Sequence, residues 1–262
     1  MPVKILFIAD IVGKPGRQAI SHELHRLVDR HTVDIVIANG ENAAGGFGLT
    51  EETARELFGC GIHLLTSGNH IWDKKDSIDF IRREEKLIRP ANYPEGAAGR
   101  GSAIIHAASG IRIAVLNLEG RVFMNSLECP FRTADREISR LKEVTPVVVV
   151  DFHAEATSEK LSLGWYLDGK VSAVLGTHTH VQTADERILP GGTAYITDVG
   201  MTGSFDSVIG IRKELAIEKF LTQLPVRFEV AKKDVRLNCV VLEIDEITGK
   251  ALSIERLSVA CH

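Results

Sequence analysis

Short apolar runs rich in β-branched residues recur along the chain: Lys4–Ala9, Asp34–Ala38, Ile62–Thr66, Pro146–Phe152 and Val171–Leu175. Runs of this length with little polar alternation predict strands buried on both faces. Between the first two, Ile20, Leu24, Leu27 and Val28 fall at i, i+4, i+7 and i+8, which sets one apolar stripe on a helix over Gly16–Arg30. A second helix is predicted over Thr50–Leu57, capped by Thr50 and with Glu51 and Glu52 in its first turn. Strand then helix, repeated, calls for parallel pairing through crossovers. Later the pattern changes. Gly101–Ala107 and Ile111–Leu118 flank a tight turn, and Val235–Ile244 and Ala251–Leu257 flank an Asp-Glu-Ile-Thr-Gly turn. Both read as hairpins. The expectation is an α/β chain of mixed sheets with helices outside. No repeat or Pro/Gly/Ser-rich linker interrupts it, so one domain over residues 1–262 is the simplest organisation.

The polar residues that follow these runs carry the chemical information. Asp10 ends the first run, and the second leads into Asn39-Gly40-Glu41-Asn42. The third leads into Ser67-Gly68-Asn69-His70, the fourth into Asp151-Phe152-His153, and the fifth into Gly176-Thr177-His178-Thr179-His180. Ligands of α/β sheets bind beyond the C-terminal ends of the strands. Each piece alone has a plainer reading: a helix cap for Asp10, turn chemistry for Glu41-Asn42, a hydrogen-bonded core histidine for His153. His178 and His180 form the strongest single signal, because alternate residues of an extended backbone share a face. Five such pieces in order are hard to reconcile with chance. Carboxylate, amide and imidazole without cysteine suit manganese, iron, zinc or similar divalent ions.

Composition narrows the classes. With 44% hydrophobic and 25% charged residues the chain is globular, not disordered. A net charge of -4 argues against bulk binding of nucleic acid or membrane surfaces. No apolar run approaches the roughly 20 residues of a membrane span. Four dispersed cysteines, with no Cys-x-x-Cys pair and no secretory signal, predict reduced thiols and a cytoplasmic protein.

The ordered motifs resemble the calcineurin-like metallophosphoesterases. Two departures, Asp10-Ile11-Val12 where Asp-x-His is usual and Glu41-Asn42 where Asp is usual, match the bacterial branch acting on 2′,3′-cyclic nucleotides. So do Asn39–Gly46 (NGENAAGG), Gly68–Asp73 (GNHIWD), Arg89–Pro94 (RPANYP), Asp151–Lys160 (DFHAEATSEK) and Asp198–Gly203 (DVGMTG). The resemblance implies a four-layer α-β-β-α sandwich with its site at the C-terminal ends of the strands. It also implies two transition-metal ions, iron or manganese. Asp10, Glu41, Asn42 and His180 would hold the first, and Glu41, Asn69, His153 and His178 the second, with Glu41 shared. Such a centre would hydrolyse 2′,3′-cyclic nucleotides to 3′-monophosphates through a metal-bridging hydroxide, with His70 as general acid. A broader phosphodiesterase or phosphomonoesterase, or a regulatory protein with a vestigial site, are the alternatives.

Around that set, Met201-Thr202-Gly203 would form a Gly-rich wall of the pocket by the same resemblance. Gly45-Gly46-Phe47-Gly48 lacks the residues of a P-loop and reads as a turn. Lys14 and Arg17 are expected to be solvated helix-start residues, with phosphate contact as the alternative. Trp72 and Trp165 are expected to pack. His22, His25, His31, His63, His106 and His262 are given no role, and the subunit count stays open, a homo-oligomer included.

Overall fold

The computed structural model describes residues 2–261, which leaves His262 outside the described residues. Its first half alternates strand and helix. β1 (Pro2–Ile8) and a short β2 (Asp10–Ile11) lead into α1 (Gly13–His31), β3 (Ile35–Asn39), α2 (Glu51–Gly59), β4 (Leu64–Thr66) and α3 (Ile78–Arg83). Next come β5 (Ser102–His106), β6 (Arg112–Glu119), α4 (Pro130–Lys142), β7 (Val148–His153), α5 (Thr157–Leu167) and β8 (Ala173–Thr177). The chain closes with β9 (Arg187–Ile188), β10 (Ala194–Ile196), β11 (Met201–Ser204), α6 (Lys213–Thr222), β12 (Val235–Asp245) and β13 (Ala251–Ala260).

Two mixed sheets result. One runs β2-β11-β12-β1-β3-β4, with β13 on the free side of β12; the other runs β5-β6-β7-β8-β10-β9. The crossovers are parallel as the strand–helix alternation requires: β1 with β3, β3 with β4, β6 with β7, and β7 with β8. Both expected hairpins form, β5 against β6 and β12 against β13. Thr50 caps α2 as predicted, its hydroxyl accepting the Thr53 N–H in a reciprocal box.

Three apolar layers account for the continuous runs. Val3, Ile5 and Phe7 face Val115, Val149 and Leu175 between the sheets. Leu6 and Ile8 turn outward onto Ile20, Leu24 and Leu57 of the helices covering the first sheet. Leu116, Val148 and Val150 pack likewise under Ala134, Ile138 and Leu163 on the second. Every central strand is therefore covered on both faces, and the architecture is the expected α-β-β-α sandwich. Burial on this scale contributes roughly 1.5–3 kcal/mol for each large aliphatic side chain. That leaves the strand ends as the places where buried polar groups converge.

Three expectations need correction. Arg17 is not solvated: it donates to Glu56 at 2.6 Å and to the Ala43 carbonyl at 2.6 Å, tying α1 to α2 and to the loop after β3. Lys14 is exposed, as expected. Trp165 is 53% exposed, with the Arg187 guanidinium over its ring, whereas Trp72 packs edge-on against Tyr93. Met201–Ser204 is no pocket wall but the buried strand β11, paired with Asp10 and Ile11.

Candidate metal centre

The predicted residues arrive at one end of the sandwich from five places: Asp10 after β1, Glu41 and Asn42 after β3, Asn69 and His70 after β4, His153 at the end of β7, and His178 and His180 after β8. Glu41 is fully buried, and its Oε2 accepts the backbone N–H of His70 at 3.0 Å. Its Oε1 lies 3.0 Å from His153 Nε2 and 3.3 Å from Asn42 Nδ2. One carboxylate thus joins two neighbourhoods. On one side His153 Nε2 meets Asn69 Oδ1 at 3.0 Å and His178 Nδ1 at 3.1 Å. On the other, His180 Nε2 lies 3.2 Å from Asn42 Nδ2 and 3.5 Å from Asp10 Oδ2.

The approach of these loops is tight. A Cβ on Gly68 would stand 2.1 Å from His153 Cδ2, so only glycine lets the Asn69 turn close over His153. His178 and His180 are not alternate residues of a strand. β8 ends at Thr177, and both histidines adopt left-handed backbone, with φ of 100° and 65°. That geometry sends them to separate neighbourhoods and costs on the order of 1–3 kcal/mol each. The turn is held by Asp198, whose Oδ2 accepts from the Thr179 N–H at 3.1 Å and the Thr179 hydroxyl at 2.8 Å. Lys160 Nζ completes the clamp, donating to Asp198 at 2.6 Å and to the Thr177 carbonyl at 2.7 Å, with both side chains only 1% exposed.

Outer partners set the ring nitrogens. The Thr177 hydroxyl donates to Asp151 at 2.7 Å, so it accepts from His153 Nδ1–H at 2.9 Å and leaves Nε2 to face the cluster. His180 Nδ1 donates to the Ile209 carbonyl at 2.9 Å, which likewise frees Nε2. His178 turns its Nε2 to Glu155 at 3.0 Å and its Nδ1 inward. Imidazoles oriented through their second nitrogen in this way are typical metal ligands.

The site's charge distribution asks for a cation. Asp10 Oδ1 and Asn42 Oδ1 are buried without any partner. Glu41, Asn69 and His178 all aim electron-rich atoms at His153 Nε2, and the ligand atoms of Glu41, His153 and His178 lie within 4.8 Å of one another. Burial depresses His153, but the Glu41, Asp10 and Asp151 carboxylates outweigh it and raise the imidazole to about 9. Burial also raises Asp10 well above the usual carboxylate range, against the lowering effect of His153. Burial and the His153 charge bring His178 down to about 3, the neutral form that a ligand needs. The donor set fits one or more divalent ions of the first transition row.

His70 stands apart from this set. Its Nδ1–H donates to Asp73 Oδ2 at 2.8 Å, and its ring packs edge-on against Phe47. It opens into a cleft of about 400 Å³ over the cluster, lined also by the apolar side chains of Val12, Phe47, Ile209, Ile211 and Phe228. Gly45, Gly46 and Gly48 all take positive φ, so the segment is the turn expected, and Phe47 at its tip lines the cleft. The structure adds Asp73, Glu155, Lys160, Thr177 and Asp198 to the candidate residues. All five sit inside the motifs already quoted, yet only their contacts reveal a role.

A four-layer sandwich whose two sheets converge on such a cluster defines a metal-binding hydrolase. The chain belongs to the YmdB-like protein family, whose pattern matches residues 6–257. It is 52% identical to the 2′,3′-cyclic-nucleotide 2′-phosphodiesterase of Bacillus subtilis, over 98% of this chain and 97% of that protein. A crystal structure of a Thermus thermophilus protein superposes with a TM-score of 0.92 at 42% identity, covering 98% and 99% of the two chains. A Mycoplasma pneumoniae structure described as a novel phosphatase gives 0.93 at 36% identity, covering 99% and 94%. The resemblance drawn from the motifs is borne out.

Proposed function

We propose that this hydrolase is a two-metal phosphodiesterase that opens 2′,3′-cyclic nucleotides to 3′-monophosphates. The observation that carries the reading is Glu41, one buried carboxylate set between two groups of inward-facing donors. Asp10, Asn42 and His180 complete the first group; Asn69, His153 and His178 complete the second. Iron or manganese suits both. A pair of divalent ions held there would lower the pKa of a shared water and neutralise the phosphoryl oxygens. The activity of the Bacillus subtilis relative supports the substrate class.

The chain's own residues supply the rest. Asp198 and Lys160 hold the His178–His180 turn, and Thr177 and Glu155 orient His153 and His178. His70 spends Nδ1 on Asp73 and its backbone N–H on Glu41, which leaves Nε2 to protonate the departing ribose 2′ oxygen. Water adds to phosphorus, the bond to the 2′ oxygen breaks, and the phosphate stays on the 3′ oxygen. The test is turnover of 2′,3′-cyclic AMP, a linear diester and a phosphate monoester by one metal-loaded sample. A clear preference for the cyclic diester is expected. Equal turnover of all three would reduce the activity to a general phosphoesterase.

A further inference from the structure

Beside the metal cradle the cleft has an apolar lining, and its two aromatic rings, Phe47 and Phe228, come from separate loops. Phe47 sits at the tip of the glycine turn after β3, and Phe228 lies between α6 and β12. They are 36% and 40% exposed, enough to leave part of each ring open to the cleft. The two segments are packed together, because a Cβ on Gly46 would stand 2.8 Å from Val230 Cγ2. Phe47 also touches His70, with ring centroids 5.2 Å apart. The aromatic wall therefore adjoins the point where the leaving oxygen takes its proton.

The polar lining has little capacity left to read a substrate. Thr179 spends its hydroxyl and its N–H on Asp198, His178 spends its N–H on Asp10, and Glu155 pairs with His178. Among the described residues, no lysine or arginine lines this cleft. Apart from the second Glu155 oxygen, these polar groups are engaged, so a ligand whose phosphate sits on the cradle meets mainly apolar and aromatic side chains beyond it.

We propose that Phe47 and Phe228 form a nucleobase platform that binds the base by its flat face without distinguishing one base from another. The inference rests on the phosphodiesterase reading and adds the base subsite to it. Stacking tolerates any base because each presents a π-face, whereas discrimination needs free donors and acceptors at the base edge. Such binding is felt alike in ground and transition states, so its loss raises KM and spares kcat.

The test compares metal-loaded wild type with Phe47→Ala and Phe228→Ala on the four 2′,3′-cyclic nucleotides and on the 2′,3′-cyclic phosphate of methyl riboside, which has no base. Wild-type kcat/KM is expected to vary by less than about tenfold among the four bases. Each alanine variant should raise KM by roughly tenfold on all four, the scale of losing one stacking contact. That penalty should shrink several-fold on the base-free diester, and Phe47→Tyr and Phe228→Tyr should restore the wild-type KM. An equal penalty on the base-free diester, or no penalty on any nucleotide, overturns the platform. A wild type inert on every cyclic diester refutes the phosphodiesterase reading instead. The platform is then judged by AMP titration, where equal affinity of wild type and both alanine variants overturns it.

Discussion

At the scale of single residues, His70 separates acid catalysis from metal binding. Its imidazole donates to Asp73 and makes no contact with the donor cluster through its ring; only its backbone N–H touches Glu41. His70→Ala is therefore expected to retain its metal while losing roughly 10²–10⁴ in rate on an alkoxide-like leaving group. On a diester with an acidic phenol, which departs without a proton, the loss should be far smaller. Rate measurements on both substrates, beside metal analysis of the variant, decide the matter. Equal loss on the two, or loss of metal, would move His70 to phosphate binding or ligand support. Asp73 belongs with it: three residues on in the same turn, it has the geometry to hold the imidazole in one tautomer.

At the scale of elements, the turn after β8 is the strained part of the site. Two left-handed histidines are maintained by a buried ion pair brought from α5 and from the loop before β11. Removing one partner of such a pair typically costs about 3–5 kcal/mol, because the other charge is left buried and unpaired. Asp198→Asn is thus expected to lower the unfolding midpoint and to weaken metal retention at both positions, one through His180 and the other through His178. Thermal melts and dialysis against graded chelator would show it; an unchanged midpoint with normal retention would remove Asp198 from the clamp. This turn also marks where the sequence stops being legible. The strands could be read because burial on both faces forces continuous apolar runs, and the ligand candidates could be read because they follow those runs directly. The pairing of His178 with His153, and of His180 with Asp10, depends on a left-handed backbone that alternation in an extended chain does not anticipate. Arg17 was misjudged for a related reason: its partners, Glu56 and the Ala43 carbonyl, are distant in sequence. β10 and β11 are too short for periodicity to show, whereas α4 carried an available signal in Pro130 at its first turn and Ala134, Ile138 and Leu141 on one face.

At the scale of the whole molecule, stability and metal binding are coupled through protons. Burial raises Asp151 from 3.8 to about 6, so the stability contributed by its neutral form is lost as pH rises through that range. His153, held up at about 9, stabilises the metal-free fold fully below 6.5 and loses that contribution as pH rises toward 9. Glu41 runs the other way: burial raises it, His153 overrides that and takes it down to about 2, and its contribution fades only as pH falls below 4.5. The metal-free protein should therefore lose stability between pH 6.5 and 9, the range in which metal binds most readily to deprotonated ligands. The gap in Tm between manganese-loaded and chelator-treated protein is expected to widen across that range. A gap that stays constant or narrows would mean that these groups do not meet the metal. The most direct measurement of the central proposal is metal quantification on protein purified anaerobically, with 2′,3′-cyclic AMP turnover assayed on the same sample. Two first-row transition ions per chain, with turnover lost on chelation and restored by iron or manganese, are expected. Full turnover with fewer than one ion per chain would contradict a two-metal centre bridged by Glu41.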